Sequence, residues 1–370
     1  MKWNWQQPDW PNFKWDRQRI SSAEEHFLLS AGVAIGIVKH LGEEEHNQLL
    51  VELMSREAVA TSAIEGEVLN RASVQSSILR QLGLASPDKR RVMPSEQGIA
   101  EMMVDLYRSF SQPLSDGMMF GWHRMVTSGR KDLADIGRYR TSSEPMQIIS
   151  GPIGTPKVHF EAPPSKEVPA AMKRFTSWFN RTAPHGKEPW PTITRAGTAH
   201  LYFESIHPFE DGNGRIGRAI AEKAMTQSFG QPVLVALATT TLAHQKSYYQ
   251  ALEKANRQNE ITEWLIWFAG IALEAQRRSI AQVELIITKT KLLDRLRGQL
   301  NERQQKALLR MFREGPEGFK GGLSAGNYST ITGASPATTT RDLADLTEKG
   351  ALVRTGERKH SRYTLNFPKT

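Results

Sequence analysis

Apolar residues recur three and four positions apart through most of this chain, the spacing that lines one face of an α-helix. The pattern predicts helices over residues 22–41 and 43–69, the second carrying Leu49, Leu50, Leu53, Met54 and Ala58 on one stripe, and two antiparallel helices are the simple reading. Residues 74–84, 95–109 and 114–127 continue the pattern, punctuated by Pro94 and Pro113. At Gly137 it breaks. From there to Pro164, β-branched residues mix with glycine and proline, as in a hairpin with loops. Helical spacing resumes over 168–180, 194–205, from Gly214 onward and over 251–275, and 276–297 reads as one long charged helix. The expectation is an all-α bundle with a small β-hairpin flap. Ahead of it, Trp3, Trp5, Trp10, Phe13 and Trp15 carry too much aromatic surface to leave in water, so this arm should pack on the body of the protein.

The 370 residues, 39% hydrophobic and 24% charged, suffice for two or three cores and exclude a disordered chain. With no cysteine, disulfides, thiolate metal sites, iron–sulfur clusters and cysteine nucleophiles are all excluded. The most apolar stretch, 27–38, falls short of the roughly 18 to 20 residues that cross a bilayer. It also begins too far from Met1 to act as a secretory signal, so no membrane partner and a cytoplasmic location are expected. A net charge of +9 favours an anionic partner without choosing one.

The densest chemistry lies in His207-Pro208-Phe209-Glu210-Asp211-Gly212-Asn213-Gly214-Arg215-Ile216-Gly217-Arg218, between two helical patterns. Gly212 and Gly214 allow backbone N–H groups to converge on an anion, and the helix starting near Arg215 adds the positive end of its dipole. Arg215 and Arg218, three apart, present two guanidinium forks to a polyphosphate. Asp211 offers the hard oxygen that Mg²⁺ takes alongside phosphate, and His207 a base near neutral pH. Alone, each piece has a bland explanation. Together, in twelve residues, they do not.

This string resembles the signature of the Fic family, HPF-x-D/E-GNGR-x-x-R, and meets its every fixed position. The resemblance implies a Fic-type helical bundle over 91–275 with a flap above the nucleotide, and the W-x-W start is similar to an N-terminal extension on many Fic proteins. It implies transfer of AMP from ATP to a Ser, Thr or Tyr hydroxyl of a protein, with release of pyrophosphate. His207 would be the base and Asp211 the Mg²⁺ ligand. Gly212, Asn213 and Gly214 would form the anion hole, Arg215 and Arg218 would grip the phosphate tail, and Ile216 and Gly217 would complete that nucleotide-binding turn. Phe209 would be buried as the loop's anchor. Ile149, Ser150 and Gly151 would lie in the flap, which pairs with an extended target segment by strand addition. KSYYQALEKAN resembles the nucleoside-contacting segment, bringing Tyr248, Tyr249 and Asn256 to the adenosine, although two adjacent tyrosines on a helix cannot both face one ligand.

Thr61, Glu65 and Gly66 resemble the family's inhibitory motif, S/T-x-x-x-E-G/N. On a helix Thr61 and Glu65 share a face, and Gly66 lets another backbone approach. The resemblance implies that Glu65 pairs with Arg218 and so withholds it from the γ-phosphate. Residues 1–90 would be an extension that holds this brake in cis.

From residue 298 onward, twelve Lys and Arg against seven Asp and Glu supply five of the nine net positive charges. Helices over 302–313, 325–332 and 336–349, then an alternating stretch over 351–365, resemble a winged helix-turn-helix domain over 298–370, joined by the 276–297 helix. Thr338, Thr339, Thr340 and Arg341 would open a recognition helix, with Arg354, Arg358, Lys359 and Arg362 in the wing. The module would contact DNA or serve protein interaction, a homodimer included. The rival to an autoinhibited adenylyltransferase is therefore a nucleotide-sensing transcriptional regulator. A third reading takes His200, Glu204 and His207, at i, i+4 and i+7, as a zinc face.

Overall fold

A computed structural model describes residues 2–39, 41–84, 92–151, 156–231, 235–315, 318–319 and 321–366. Among them are fourteen α-helices and two antiparallel hairpins. In chain order these are α1 (Arg17–Val38), α2 (Glu43–Ile64), α3 (Arg71–Leu82), α4 (Pro94–Ser109), α5 (Asp116–Val126), β1 (Gln147–Ser150), β2 (Lys157–Glu161), α6 (Val168–Arg181), α7 (Thr192–Ile206) and α8 (Asn213–Phe229). There follow α9 (Leu237–Ala243), α10 (Gln245–Ala255), α11 (Thr262–Arg295), α12 (Glu302–Arg313), α13 (Ala325–Thr332), α14 (Pro336–Glu348), β3 (Leu352–Thr355) and β4 (Arg362–Leu365). Two compact units result, residues 1–36 with 50–279 and residues 37–49 with 280–370. No helix among the described residues is long and apolar enough to cross a membrane.

The first unit is organised around α7, all fifteen residues of which are buried, as expected of a helix surrounded by others. Its neighbour α8 lies so close that a Cβ on Gly217 would sit 2.5 Å from a Glu204 oxygen. The tryptophan arm packs here too. Trp3 meets Phe160 edge to face at 5.3 Å, Trp10 and Phe13 do the same with Tyr202, and Trp15 lies against Trp190.

Several boundaries depart from the periodicity, each for a local reason. The second helix ends at Ile64 instead of near 69, because Gly66 takes φ +82° and the N–H groups of Gly66 and Glu67 turn back to Ala63 O and Ser62 O, both at 3.0 Å. Glu65 is thus a turn residue just past the helix. Gly66 serves that positive φ and not a close approach, since a Cβ there would meet open space. The 251–275 stretch is two helices, broken between Ala255 and Thr262 where the arm is stitched in. There Asn4 N–H donates to Asn256 O, Lys14 N–H to Asn259 O and Ile261 N–H to Lys14 O, all at 2.8 Å. The charged stretch from 276 is no separate helix but the second half of α11. The start of the expected core at residue 91 lies outside the described residues.

In the second unit, Asn301, Ser324 and Ser335 cap α12, α13 and α14, and the β3–β4 hairpin follows. Its core joins Leu285, Leu292 and Leu296 of α11 to Leu308, Tyr328, Leu343, Leu346 and Leu352. Asp342 ties the helices together, accepting from Arg303 Nε at 2.9 Å, the Tyr328 hydroxyl at 3.0 Å and Asn301 Nδ2 at 3.1 Å.

Candidate active site

The loop joining α7 to α8 begins with an unusual backbone. His207 caps α7 at φ +50°, a left-handed conformation rare outside glycine. It is held by its own N–H to Phe203 O (2.9 Å) and by Arg140 Nε donating to its carbonyl (2.8 Å). Phe209 is fully buried and stacks on His123 with ring centroids 4.2 Å apart. The Asn213 side chain clamps the turn, accepting from Phe209 N–H at 2.9 Å and donating to Phe209 O at 2.8 Å. Its amide is therefore used up within the loop, and only backbone N–H groups of Asn213 and its neighbours remain for an anion.

His123 went unnoticed in the sequence, yet it supports the whole turn. Its Nδ1 accepts from Gly137 N–H (2.9 Å), which leaves Nε2 to donate to Asp211 O (3.1 Å). Burial lowers its pKa and so favours this neutral form. Arg130 was missed as well: its guanidinium bonds one Asp211 oxygen, while the other accepts from Gly212 N–H (2.5 Å) and Arg215 (3.3 Å). Burial works to raise the Asp211 carboxyl, but Arg215, Gly212 N–H and Arg130 hold it below the usual range. A single hard carboxylate suits Mg²⁺ only if phosphate and water complete the shell. Among the described residues no set of three His, Asp or Glu converges on a metal position. His200, Glu204 and His207 therefore form no such set, against the zinc reading, and His200 Nε2 lies 2.9 Å from the Tyr248 hydroxyl.

Both loop arginines are buried, and both are held by the turn after α2. Arg218 donates from Nε to Thr61 Oγ1 (2.8 Å), and from its second nitrogen to Thr61 O (2.9 Å) and Glu65 Oε1 (2.7 Å). That carboxylate lies over the α8 N-terminus, where a Cβ on Gly214 would stand 2.2 Å from Glu65 Oε1. Arg215 meets Glu67 Oε2 at 3.0 Å and Val126 O at 3.2 Å. Glu67 lies outside the inhibitory pattern, and its only sequence trace is a second glutamate flanking Gly66.

Other expected nucleotide contacts are used elsewhere. Ile216 is a core residue, and Gly217 is needed for the α7–α8 approach. Tyr248 is buried and turned to His200, whereas Tyr249 is half exposed and donates to Ile64 O at 2.8 Å. Asn256 is buried between Ser205 and the arm. The flap's β1 is exposed, pairing with β2 across an irregularity at Ile148 and Ile149. Ser150 Oγ lies 2.6 Å from His159 Nε2, and His159 Nδ1 lies 3.0 Å from Glu253 of α10. Gly151 takes φ +98° at the strand's end.

Residues 113–225 match the model of the Fic/DOC family, and residues 3–84 match that of a domain of unknown function, DUF4172. Protein adenylyltransferase fic-1 of Caenorhabditis elegans is 27% identical over 201 residues, covering 53% of this chain and 35% of that protein. Protein adenylyltransferase Fic of Culex quinquefasciatus is 32% identical over 85 residues, 23% of this chain and 15% of its own. A crystal structure of a Fic family protein from Desulfovibrio desulfuricans G20 shares the fold with a TM-score of 0.52 at 22% identity, covering 94% of this chain and 97% of that one. Fic-1 (aa134 - 508) of C. elegans does so with a TM-score of 0.51 at 23% identity, over 70% and 73%. This chain spans about a third of the length of the first of these curated relatives.

Proposed function

We propose that this chain, whose residues 113–225 are a Fic domain, is an autoinhibited protein adenylyltransferase that moves AMP from ATP to a Ser, Thr or Tyr hydroxyl of a protein. The observation that carries the reading is the Glu65 carboxylate lying over the α8 N-terminus and bonded to Arg218, an anion in the place built for an anion. Relatives named protein adenylyltransferase support the chemistry.

His207 accepts the proton as the target oxygen bonds to the α-phosphorus. The bond from that phosphorus to the β-phosphate oxygen breaks, and pyrophosphate leaves. Arg215 and Arg218 neutralise the departing tail, and the N–H groups of Asn213 and Gly214 at the start of α8 hold phosphate oxygens, that of Gly212 being taken by Asp211. Mg²⁺, when bound at Asp211, adds charge neutralisation at the phosphates. Arg130, which bonds one Asp211 oxygen, would share that carboxylate with the ion. With Glu65 in place, Arg218 is withheld from the tail.

The second unit reads as a winged helix-turn-helix appended to this enzyme, supported by its order of three helices and a hairpin. Within α14, Thr340 and Arg341 are exposed, whereas Thr339 faces the core and is unavailable to a partner. In the wing, Arg354 is engaged with Ser361, and the Lys359 side chain lies outside the described residues. The rival DNA-binding regulator finds no support among the relatives, which are named as adenylyltransferases.

The test is mass spectrometry of full-length Glu65→Gly protein after ATP and Mg²⁺, alone and with added acceptor proteins. AMP should appear on hydroxyl residues and be absent with His207→Ala. No AMP on any protein, from wild type or from Glu65→Gly, would sink the proposal.

A further inference from the structure

Behind His207 lies a buried polar row that the transfer chemistry above leaves unused. Glu204, in the last turn of α7, is buried, with Oε2 3.6 Å from His207 Nδ1. Glu204 Oε1, His207 Nδ1 and His200 Nδ1 are all buried without a hydrogen-bond partner. Beyond Glu204, His200 Nε2 lies 2.9 Å from the Tyr248 hydroxyl. The carboxylate cannot drift away, because α8 passes so close at Gly217 that even a methyl group would collide with it.

We propose that Glu204 is the positioning residue for His207, fixing the tautomer and orientation of its imidazole and stabilising the imidazolium formed during transfer. The inference rests on the adenylyltransferase reading for its kinetic consequence, but not for its geometry. An ionised carboxylate only accepts, so the imidazole nitrogen facing it carries the proton, and Nε2 is left bare to receive one from the target hydroxyl. His207 Nδ1 is buried and unpaired, a costly state unless a partner can reach it, and Glu204 Oε2 stands within reach. Closing the gap from 3.6 Å to a charge-assisted hydrogen bond of about 2.8 Å needs a small rotation. Once Nε2 is protonated the pair becomes ionic, so the attraction is strongest when the reaction needs it. Glu204 itself exchanges no proton.

The charged and titratable groups that face this row are His200 and His207 from α7 and its cap, Arg218 from α8, Tyr248 from α10 and Glu65 from the inhibitory turn. Burial works to raise the Glu204 carboxyl, yet His207, His200 and Arg218 together hold it below the usual range. It is thus ionised when His207 acts.

The experiment uses full-length Glu65→Gly protein. Adding Glu204→Gln should lower kcat for AMP transfer by on the order of 10²-fold and leave KM for ATP within about twofold. Glu204→Asp should recover part of the loss. Nitrogen-15 NMR of His207 supplies a readout independent of activity: Nδ1–H in the parent, a mixed tautomer in Glu204→Gln. A parent with the proton on Nε2, or a Glu204→Gln protein with kcat within about threefold of its parent, overturns the proposal. A parent that transfers no AMP overturns the proposed function, while the NMR tautomer still decides the positioning role.

Discussion

At the scale of single residues, two glutamates on either side of Gly66 neutralise the two arginines that the proposed reaction needs. The chain reversal at Gly66 is the reason. A helix ending in a left-handed residue throws its next side chains back toward the neighbouring loop, and so both Glu65 and Glu67 reach α8. Releasing Glu65 should raise AMP incorporation on the order of tenfold, the effect of about 1.4 kcal/mol, measured with radiolabelled ATP. Glu67 is one-third exposed, so solvent discounts its pair to about 1 kcal/mol. Glu67→Ala should accordingly tighten ATP binding about fivefold in calorimetry, and unchanged affinity would show that Arg215 is not restrained by Glu67. The loop motif was legible because its residues are contiguous. Glu67, His123 and Arg130 were not, since each reaches its partner through a backbone turn or a tertiary contact that leaves no periodicity behind, whereas helical spacing did bring Glu204 beside His207 but as a metal ligand.

At the scale of elements, the helix carrying the brake is also the cap of another. Glu57 of α2 accepts from Ala238 N–H (2.6 Å) and Thr239 N–H (3.0 Å), at the N-terminus of a helix that hydrophobic spacing had not revealed. Burial pushes the Glu57 carboxyl up to about 7 even so. Burial and then Glu57 push Glu222 of α8 well above the usual range. For a carboxyl whose folded pKa exceeds its unfolded one, the unfolded chain loses its proton first as pH rises. The stability contribution is therefore full below about 4.5 and is lost progressively as pH rises to about 7, by roughly 3 kcal/mol at most for Glu57. Urea midpoints between pH 5 and 8 should fall along this slope, and Glu222→Gln should flatten it by removing the second raised carboxyl. A slope of the opposite sign would mean that the α9 cap keeps Glu57 ionised. The errors in helix limits have the same origin: the break before Thr262 depends on hydrogen bonds to an arm some 250 residues earlier, beyond any local pattern.

At the scale of the whole molecule, the second unit draws its core from further back than its composition suggests. Charge and glycine content change near residue 298, yet Leu285, Leu292 and Leu296 are buried among the residues of α12 to β4. Truncating a buried leucine costs about 2–5 kcal/mol, so a fragment of 298–370 should melt far below one of 280–370, as followed by circular dichroism. Equal melting temperatures would show that the end of α11 adds nothing to this core. The sequence by itself determined the helical class, the flap, the aromatic arm's need for burial and the twelve-residue loop, because periodicity, aromatic surface and contiguous chemistry are local properties. Only the tertiary structure decided which side chains complete the site. It placed carboxylates from the turn after α2 on both arginines, turned Tyr248 and Asn256 inward, and put His123 and Arg130 under the loop, since which polar groups meet in a low-dielectric interior depends on how distant helices pack.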